Sequence, residues 1–170
     1  MLHRCFAATI VAVAVVVPAK ADDVPLTLSV STLGLFAQGN SWYLSVNSAG
    51  QAELTILGGA TDTRKQFQVP KEQWAEFRKI VADGRFFELG REYGESVPDG
   101  SQQTITVTAG QHTHTVKLQF LSVSTPAERA KVREASGAIR LLVLVRGWFN
   151  ETEAVDLRKI HEAILDKAKE

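Results

Sequence analysis

The stretch PKEQWAEFRKIVADG, residues 70–84, has the pattern of an amphipathic helix. Pro70 suits the first turn of a helix, because its missing N–H group would have no partner there in any case. Gly84 is a natural helix stop. Four apolar residues between them recur at helical spacing, namely Trp74, Phe77, Ile80 and Val81. The pattern predicts a helix that lies with one face on a sheet.

The residues before this helix alternate in the way that β-strands do. LTLSVSTLGLF begins at Leu26 and places apolar residues at every second position. SWYLSV, residues 41–46, is expected to pair with AELTIL, residues 52–57, across the turn residues NSAG. RKQFQV, residues 64–69, is a further strand with Phe67 and Val69 on one face. These patterns predict an antiparallel sheet.

A second set of patterns follows the helix. FFEL, residues 86–89, is a short apolar segment that we expect to seal the helix against the sheet. After the loop 90–100, QQTITVTAGQHTHTVKLQF, residues 102–120, reads as a second hairpin that turns at Gly110. TPAE, residues 125–128, is a capping box with proline at the first helical position, and it opens a helical region over 124–170.

The predicted fold class is therefore α+β. An antiparallel sheet of two hairpins and an extra strand is packed by one amphipathic helix, and a helical C-terminal segment follows. We expect residues 22–170 to form a single domain.

The first 21 residues have the pattern of a signal peptide. A short positive start with Arg4 precedes the apolar run CFAATIVAVAVVVP, and Ala19-Lys20-Ala21 fits the small-x-small cleavage pattern. The run is short for a membrane span, which needs about 20 residues. We expect cleavage after Ala21, a bacterial periplasmic or extracellular location, and no stable membrane span afterwards. An uncleaved N-terminal anchor is the alternative.

Charge and cysteine content exclude several classes of function. Cys5 is the only cysteine, so the chain cleaved after Ala21 would have no disulfide, no thiolate metal site and no cysteine nucleophile. Loss of Arg4 and Lys20 would leave 17 basic and 19 acidic side chains. A net charge of about −2 gives no electrostatic reason to expect a nucleic-acid partner or an anionic membrane surface.

His112 and His114 are the only candidate metal ligands with suggestive spacing. Residues two apart in a strand point to the same face, within reach of one ion. A third ligand would have to come from elsewhere, and His161 is the only other histidine after residue 21. We therefore expect two solvent-facing histidines near a turn, with no bound metal and no cofactor.

The loop around residues 88–99 carries the candidate acid–base groups: Glu88, Glu92, Glu95 and Asp99. A carboxylate- or metal-dependent hydrolase that uses this loop with His112 and His114 is one interpretation. The loop lacks the order of a calcium-binding loop, and Asp99-Gly100 is an ordinary turn dipeptide. The chain has no G-x-S-x-G motif, P-loop or dinucleotide fingerprint. We therefore expect the loop to be scaffold, and we predict no catalytic residue.

The candidate binding residues lie on a strand and in this loop. Trp42 and Tyr43 are neighbours in a strand, so one faces the core and the other faces outward, where it can serve as a binding platform. Glu92, Tyr93 and Asp99 are the candidates in the loop. An exposed strand edge is a third contact surface, because proteins bind by adding a strand to such an edge.

The central part of the chain, about residues 40–130, resembles emfourin-type inhibitors of thermolysin-like metalloproteases and similar bacterial exported domains. The matching positions are Trp74, Phe77 and Ile80 in the helix, Phe86, Phe87 and Leu89 after it, then Asp99, Ile105, Val107, Gly110, His114, Val116 and Pro126. The helical region after residue 130 is longer than that family's pattern. Since the matching positions are core and turn residues, the resemblance implies a fold and a non-enzymatic class, and no inhibitory residue carries over.

Together, these patterns predict an exported, non-enzymatic binding or interaction protein. The resemblance implies a protease-inhibitor-like module as its specific form. The expected partner is a protein, either a protease or a component of the cell envelope.

Overall fold

The computed structural model describes residues 24–33, 41–58, 61–96, 100–150, 158–159, 162–163 and 166–167. The predicted signal peptide, Cys5, Asp99 and His161 lie outside the described residues, as does most of the segment after residue 150. Residues 158–159, 162–163 and 166–167 are helical, in line with the helical C-terminal region that the sequence predicts.

A seven-stranded sheet with the order β4-β3-β2-β1-β6-β7-β5 forms one layer of the described part of the chain. Its strands are β1 (Leu26–Leu33), β2 (Ser41–Val46), β3 (Gln51–Leu57), β4 (Thr63–Gln68), β5 (Glu92–Tyr93), β6 (Gln102–Ala109) and β7 (His112–Leu118). All neighbours are antiparallel except β5, which runs parallel to β7. The α+β class and the two hairpins that the sequence predicts are confirmed.

The first strand joins the two halves of the sheet. β1 lies in the centre, between β2 and β6. Its pairing with β6 covers the whole strand, from Leu26 opposite Ala109 to Leu33 opposite Gln102. The residues of β1 and β6 that pair are between 69 and 83 positions apart in the chain, so local sequence patterns do not reveal the pairing.

Three α-helices are described: α1 (Lys71–Asp83), α2 (Pro126–Glu134) and α3 (Ser136–Gly147). A 3-10 turn at Phe86–Glu88 follows α1, where the sequence predicts a short apolar segment. The end of α1 and the start of α3 approach closely at Gly84 and Gly137: a Cβ on Gly137 would lie 3.2 Å from the Cα of Gly84. Two glycines therefore permit a helix contact that larger residues would push apart.

The core lies between one face of the sheet and the helices. Alternate strand residues such as Val30, Leu44 and Ile105 are fully buried, and Phe77 of α1 and Leu141 of α3 close over them. An aromatic contact also joins α1 to the end of α3, where the Phe77 ring meets the Trp148 ring edge-on at a centroid distance of 6.4 Å. Burial of this face is the main source of stability, because apolar area removed from water contributes roughly 25 cal/mol per Å².

The capping box that the sequence predicts at the start of α2 is confirmed. The Thr125 hydroxyl accepts a hydrogen bond from the Glu128 N–H at 3.2 Å, and the Glu128 carboxylate accepts one from the Thr125 N–H at 2.8 Å. The Thr125 N–H, together with the Ser122 hydroxyl, holds the pKa of the Glu128 carboxyl below its usual value.

Within the described ranges, none of the helices combines the length and the apolar composition that crossing a bilayer requires.

Candidate binding surfaces

Tyr93 lies in the core and not on a surface. Its side chain is 4% exposed, its hydroxyl donates a hydrogen bond to Glu134 Oε1 at 2.8 Å, and it accepts one from the Gly90 N–H at 2.6 Å. Burial, followed by the hydrogen bond to Glu134, raises the pKa of Tyr93 to about 12. The residue therefore ties the loop to α2, and its side chain is not available to a partner.

The described carboxylates of the loop have different partners. Glu88 forms an ion pair with Arg85 at 2.7 Å, and the Glu92 side chain accepts a hydrogen bond from the Gln119 amide. The main chain of Glu95 pairs with Phe120, whose carbonyl accepts a hydrogen bond from the Glu95 N–H at 3.0 Å. Among the described residues, no group of three or more His, Cys, Asp or Glu side chains is placed to hold a metal ion. The loop serves mainly to fasten β5 and the segment after it to β7.

The two histidines of β7 face the helix side of the sheet. His112 is opposite Ala109 and is exposed, whereas His114 is opposite the buried Val107 and is half-buried. The His114 ring meets the Phe86 ring edge-on at a centroid distance of 5.7 Å. The expectation of two solvent-facing histidines is therefore wrong for His114, because it shares its strand face with the core residues Val116 and Leu118.

Trp42 and Tyr43 divide as the strand alternation predicts. Trp42 is buried, with the Arg146 guanidinium 4.3 Å above its ring and Phe149 at its edge. Tyr43 is 45% exposed on the opposite face of the sheet. Of this pair, only Tyr43 can contact a partner.

The face of the sheet that carries Tyr43, here called the open face, is the side turned away from the core. The strand register aligns one residue from each strand across it: Arg64, Thr55, Tyr43, Ser31, Thr104, Lys117 and Glu92. None of these side chains is buried in the described part of the structure. This row is thus polar, with one aromatic residue near its centre, and the exposed Leu33 and Leu57 lie elsewhere on the same face.

The two edges of the sheet differ. Among the described strands, β4 pairs with β3 alone and presents six residues, of which all but the half-buried Phe67 are exposed. β5 at the other edge has two residues. A long free edge is a template for strand addition, so β4 matches the exposed edge that the sequence analysis expects.

An apolar groove lies away from these surfaces. It has a volume of about 600 Å³ and runs between α1, the 3-10 turn and the start of β1. Leu26, Val81, Phe86 and Phe87 contribute apolar walls, and Glu88 is the one loop carboxylate that lines it. The groove does not bring the predicted carboxylates and histidines together.

No family model matches the chain, and no curated protein matches it.

Sequence reasoning missed two features of these surfaces. The first is β5, since a two-residue strand is too short to show alternation. The second is the aligned row on the open face, although a signal for it exists: the residues of β1, β6 and β7 that face away from the apolar positions are mainly Ser and Thr.

Proposed function

We propose that the protein is an exported, non-enzymatic binding protein that accepts a strand from a protein partner along β4. Export is supported by the N-terminal sequence pattern. The single observation that carries the binding proposal is the free edge of β4, six residues long and solvent-accessible. Edge strands bind extended peptides through main-chain hydrogen bonds, and the side chains beside them set the specificity.

The side chains of β4 select the partner. Arg64 and Lys65 are both exposed, and no acidic residue lies in the strand. Basic residues on an edge disfavour pairing with another basic strand. We infer that the preferred partner strand is acidic.

A protease is the class of partner that the emfourin-type resemblance supports, and a cell-envelope protein is the other candidate. The non-enzymatic reading is supported by the described carboxylates, since Glu88 and Glu92 engage separate partners. An acid–base pair would need such groups around one substrate.

Proline substitutions along β4 test the proposal. In an antiparallel edge strand, successive residues point their N–H groups alternately toward and away from the neighbouring strand. One of Lys65→Pro and Gln66→Pro therefore removes an outward N–H, while the other breaks a bond to β3. The variant that loses a hydrogen bond to β3 should have the lower melting temperature, which identifies it. The variant that retains its melting temperature should lose the partner.

The binding assay uses chain from Asp22 onward as bait for envelope and culture-supernatant proteins of the source organism. Partners are identified by mass spectrometry, and inhibition of a thermolysin-like metalloprotease is measured in parallel. Stoichiometric capture that the stable proline variant abolishes supports the proposal. Capture that both proline variants retain shows that β4 is not the binding edge and rejects it.

A further inference from the structure

The open face has the chemistry of a glycan-binding surface. Its central row presents Thr55, Tyr43, Ser31 and Thr104 between Arg64 on β4 and Lys117 on β7, and Glu92 on β5 lies beyond Lys117. The next row adds further uncharged groups and a single acid: Gln66, Glu53, Ser45, Ser29, Thr106 and Thr115. These two rows therefore consist mostly of hydroxyl and amide groups, which both donate and accept hydrogen bonds. The exposed Leu33 and Leu57 lie on the same face, outside these rows.

The ring of Tyr43 leans over the neighbouring strand. The register places Ser31 directly opposite Tyr43, yet the Tyr43 oxygen accepts a hydrogen bond at 3.1 Å from the hydroxyl of Ser29, which stands opposite Ser45. Such a diagonal contact is within reach of an aromatic side chain only if the side chain lies along the sheet. The Tyr43 side chain is thus anchored to β1 at its hydroxyl, and 45% of its surface remains exposed to solvent.

Neighbouring hydroxyls on the same face are also held in place. Thr106 and Thr115 are hydrogen-bonded at 2.9 Å, and Thr108 and Thr113 at 3.0 Å. A surface whose rotamers are already fixed loses less conformational entropy when a ligand binds. Each of these threonine hydroxyl oxygens keeps a lone pair that can accept a hydrogen bond from a ligand.

We propose that the open face binds a neutral, β-1,4-linked glycan laid across the strands. Charge supports an uncharged occupant, because the described strands place two acids and two bases on this face: Glu53, Glu92, Arg64 and Lys117. A β-1,4-linked chain is a flat ribbon with C–H groups on its faces and hydroxyls along its edges. Its face fits the exposed Tyr43 ring, and its edges fit the Ser and Thr groups. Seven strands span roughly 29 Å, enough for several sugar rings.

Calorimetric titration of the chain from Asp22 onward with cellohexaose and chitohexaose tests the proposal. Maltohexaose, whose α-1,4 linkages curve the chain, is the matched control ligand. We expect binding of at least one β-1,4-linked hexamer, little change in affinity between low and moderate salt, and no binding of maltohexaose. Salt insensitivity distinguishes a neutral ligand from a charge-driven contact.

Three variants locate the site. Tyr43→Ala should weaken glycan binding at least about tenfold, whereas Tyr43→Phe should retain most of it because the ring remains. Phe87→Ala removes another exposed aromatic ring that lies off this face, and it should bind as the wild type does. All three should remain folded, as near-ultraviolet circular dichroism can show.

Two outcomes would overturn the proposal. The first is no binding of either β-1,4-linked hexamer at millimolar concentration, or equal binding of maltohexaose. The second is glycan binding that Tyr43→Ala leaves unchanged. Loss of a protein partner in Tyr43→Ala, without any glycan affinity, would assign the open face to protein recognition instead.

Discussion

The hydroxyl of Tyr93 lies 2.8 Å from Oε1 of Glu134, a residue 41 positions later in the chain. The contact ties β5 to the end of α2. Since the same hydroxyl accepts the Gly90 N–H, one buried group fixes the loop to itself and to a helix. Tyr93, which lies among the candidate acid–base groups in the sequence, is therefore a structural residue.

Replacement of Tyr93 by Phe should lower the free energy of unfolding by about 1–3 kcal/mol near neutral pH, because it removes two hydrogen bonds and leaves the Gly90 N–H without this acceptor. Urea denaturation measures the difference. A variant as stable as the wild type would show that these bonds add nothing to the packing of the ring.

The stability that Tyr93 adds should also depend on pH. The folded-state pKa of about 12 exceeds the usual value of 10. The folded state therefore favours the protonated phenol, so this stability is complete below about pH 10 and is lost as the pH rises toward 12. The stability gap between wild type and Tyr93→Phe should accordingly shrink between pH 9 and pH 12, as urea titrations at several pH values can show. A constant gap would contradict this assignment.

Phe86 and Phe87 should differ sharply on truncation, because they are 1% and 36% exposed. Phe86→Ala should lower the free energy of unfolding by about 3–5 kcal/mol. Phe87→Ala should lower it by about 1 kcal/mol, since its ring loses less buried area. Thermal denaturation of both variants under identical conditions checks the pair. Equal losses in the free energy of unfolding would mean that Phe86 and Phe87 contribute equally to the packing, contrary to their difference in exposure.

Gly94 and Gly110 offer a matched test of backbone strain. Both have positive φ, at 93° and 58°. A Cβ on Gly94 would lie 2.5 Å from the Phe120 carbonyl oxygen, whereas on Gly110 its nearest neighbour would be Val24 Cγ1 at 3.7 Å. Gly110→Ala should cost about 1 kcal/mol of folding free energy, and Gly94→Ala about 3 kcal/mol or more because the clash adds to the strain.

Chemical denaturation of the two alanine variants provides the comparison. A larger loss in Gly110→Ala would show that the backbone around Gly94 moves aside easily. Because Gly94 follows Tyr93, its variant should also change the exchange protection of the Gln119 N–H, which bonds to the Tyr93 carbonyl.

Much of the fold follows from local patterns. The helix predicted from Pro70 to Gly84 is observed as Lys71–Asp83, and the capping box at Thr125 forms as expected. These elements can be predicted because the residues that specify them lie close together in the sequence. The pairing of β1 with β6 cannot be predicted in this way, since it depends on which strands meet after the chain has collapsed.

The binding surfaces were harder to predict for the same reason. Alternation shows that one of Trp42 and Tyr43 faces outward, and the structure shows that it is Tyr43. The alternation does not show that the Ser29 hydroxyl donates a hydrogen bond to the Tyr43 hydroxyl, because that contact depends on the register between β1 and β2. In β7, His112 and His114 alternate with Thr113 and Thr115. Because threonine suits either face of a strand, the sequence does not show which face His114 lies on.

The difference between the two sheet edges limits how this protein can assemble. Each molecule offers one long strand edge, at β4, while the described strand at the opposite edge has only two residues. Two copies that met edge to edge would occupy both of their long edges, with no equivalent edge left to add a third. The exposed Arg64 and Lys65 would also oppose that pairing, so the described edges of the sheet disfavour growth into a fibre.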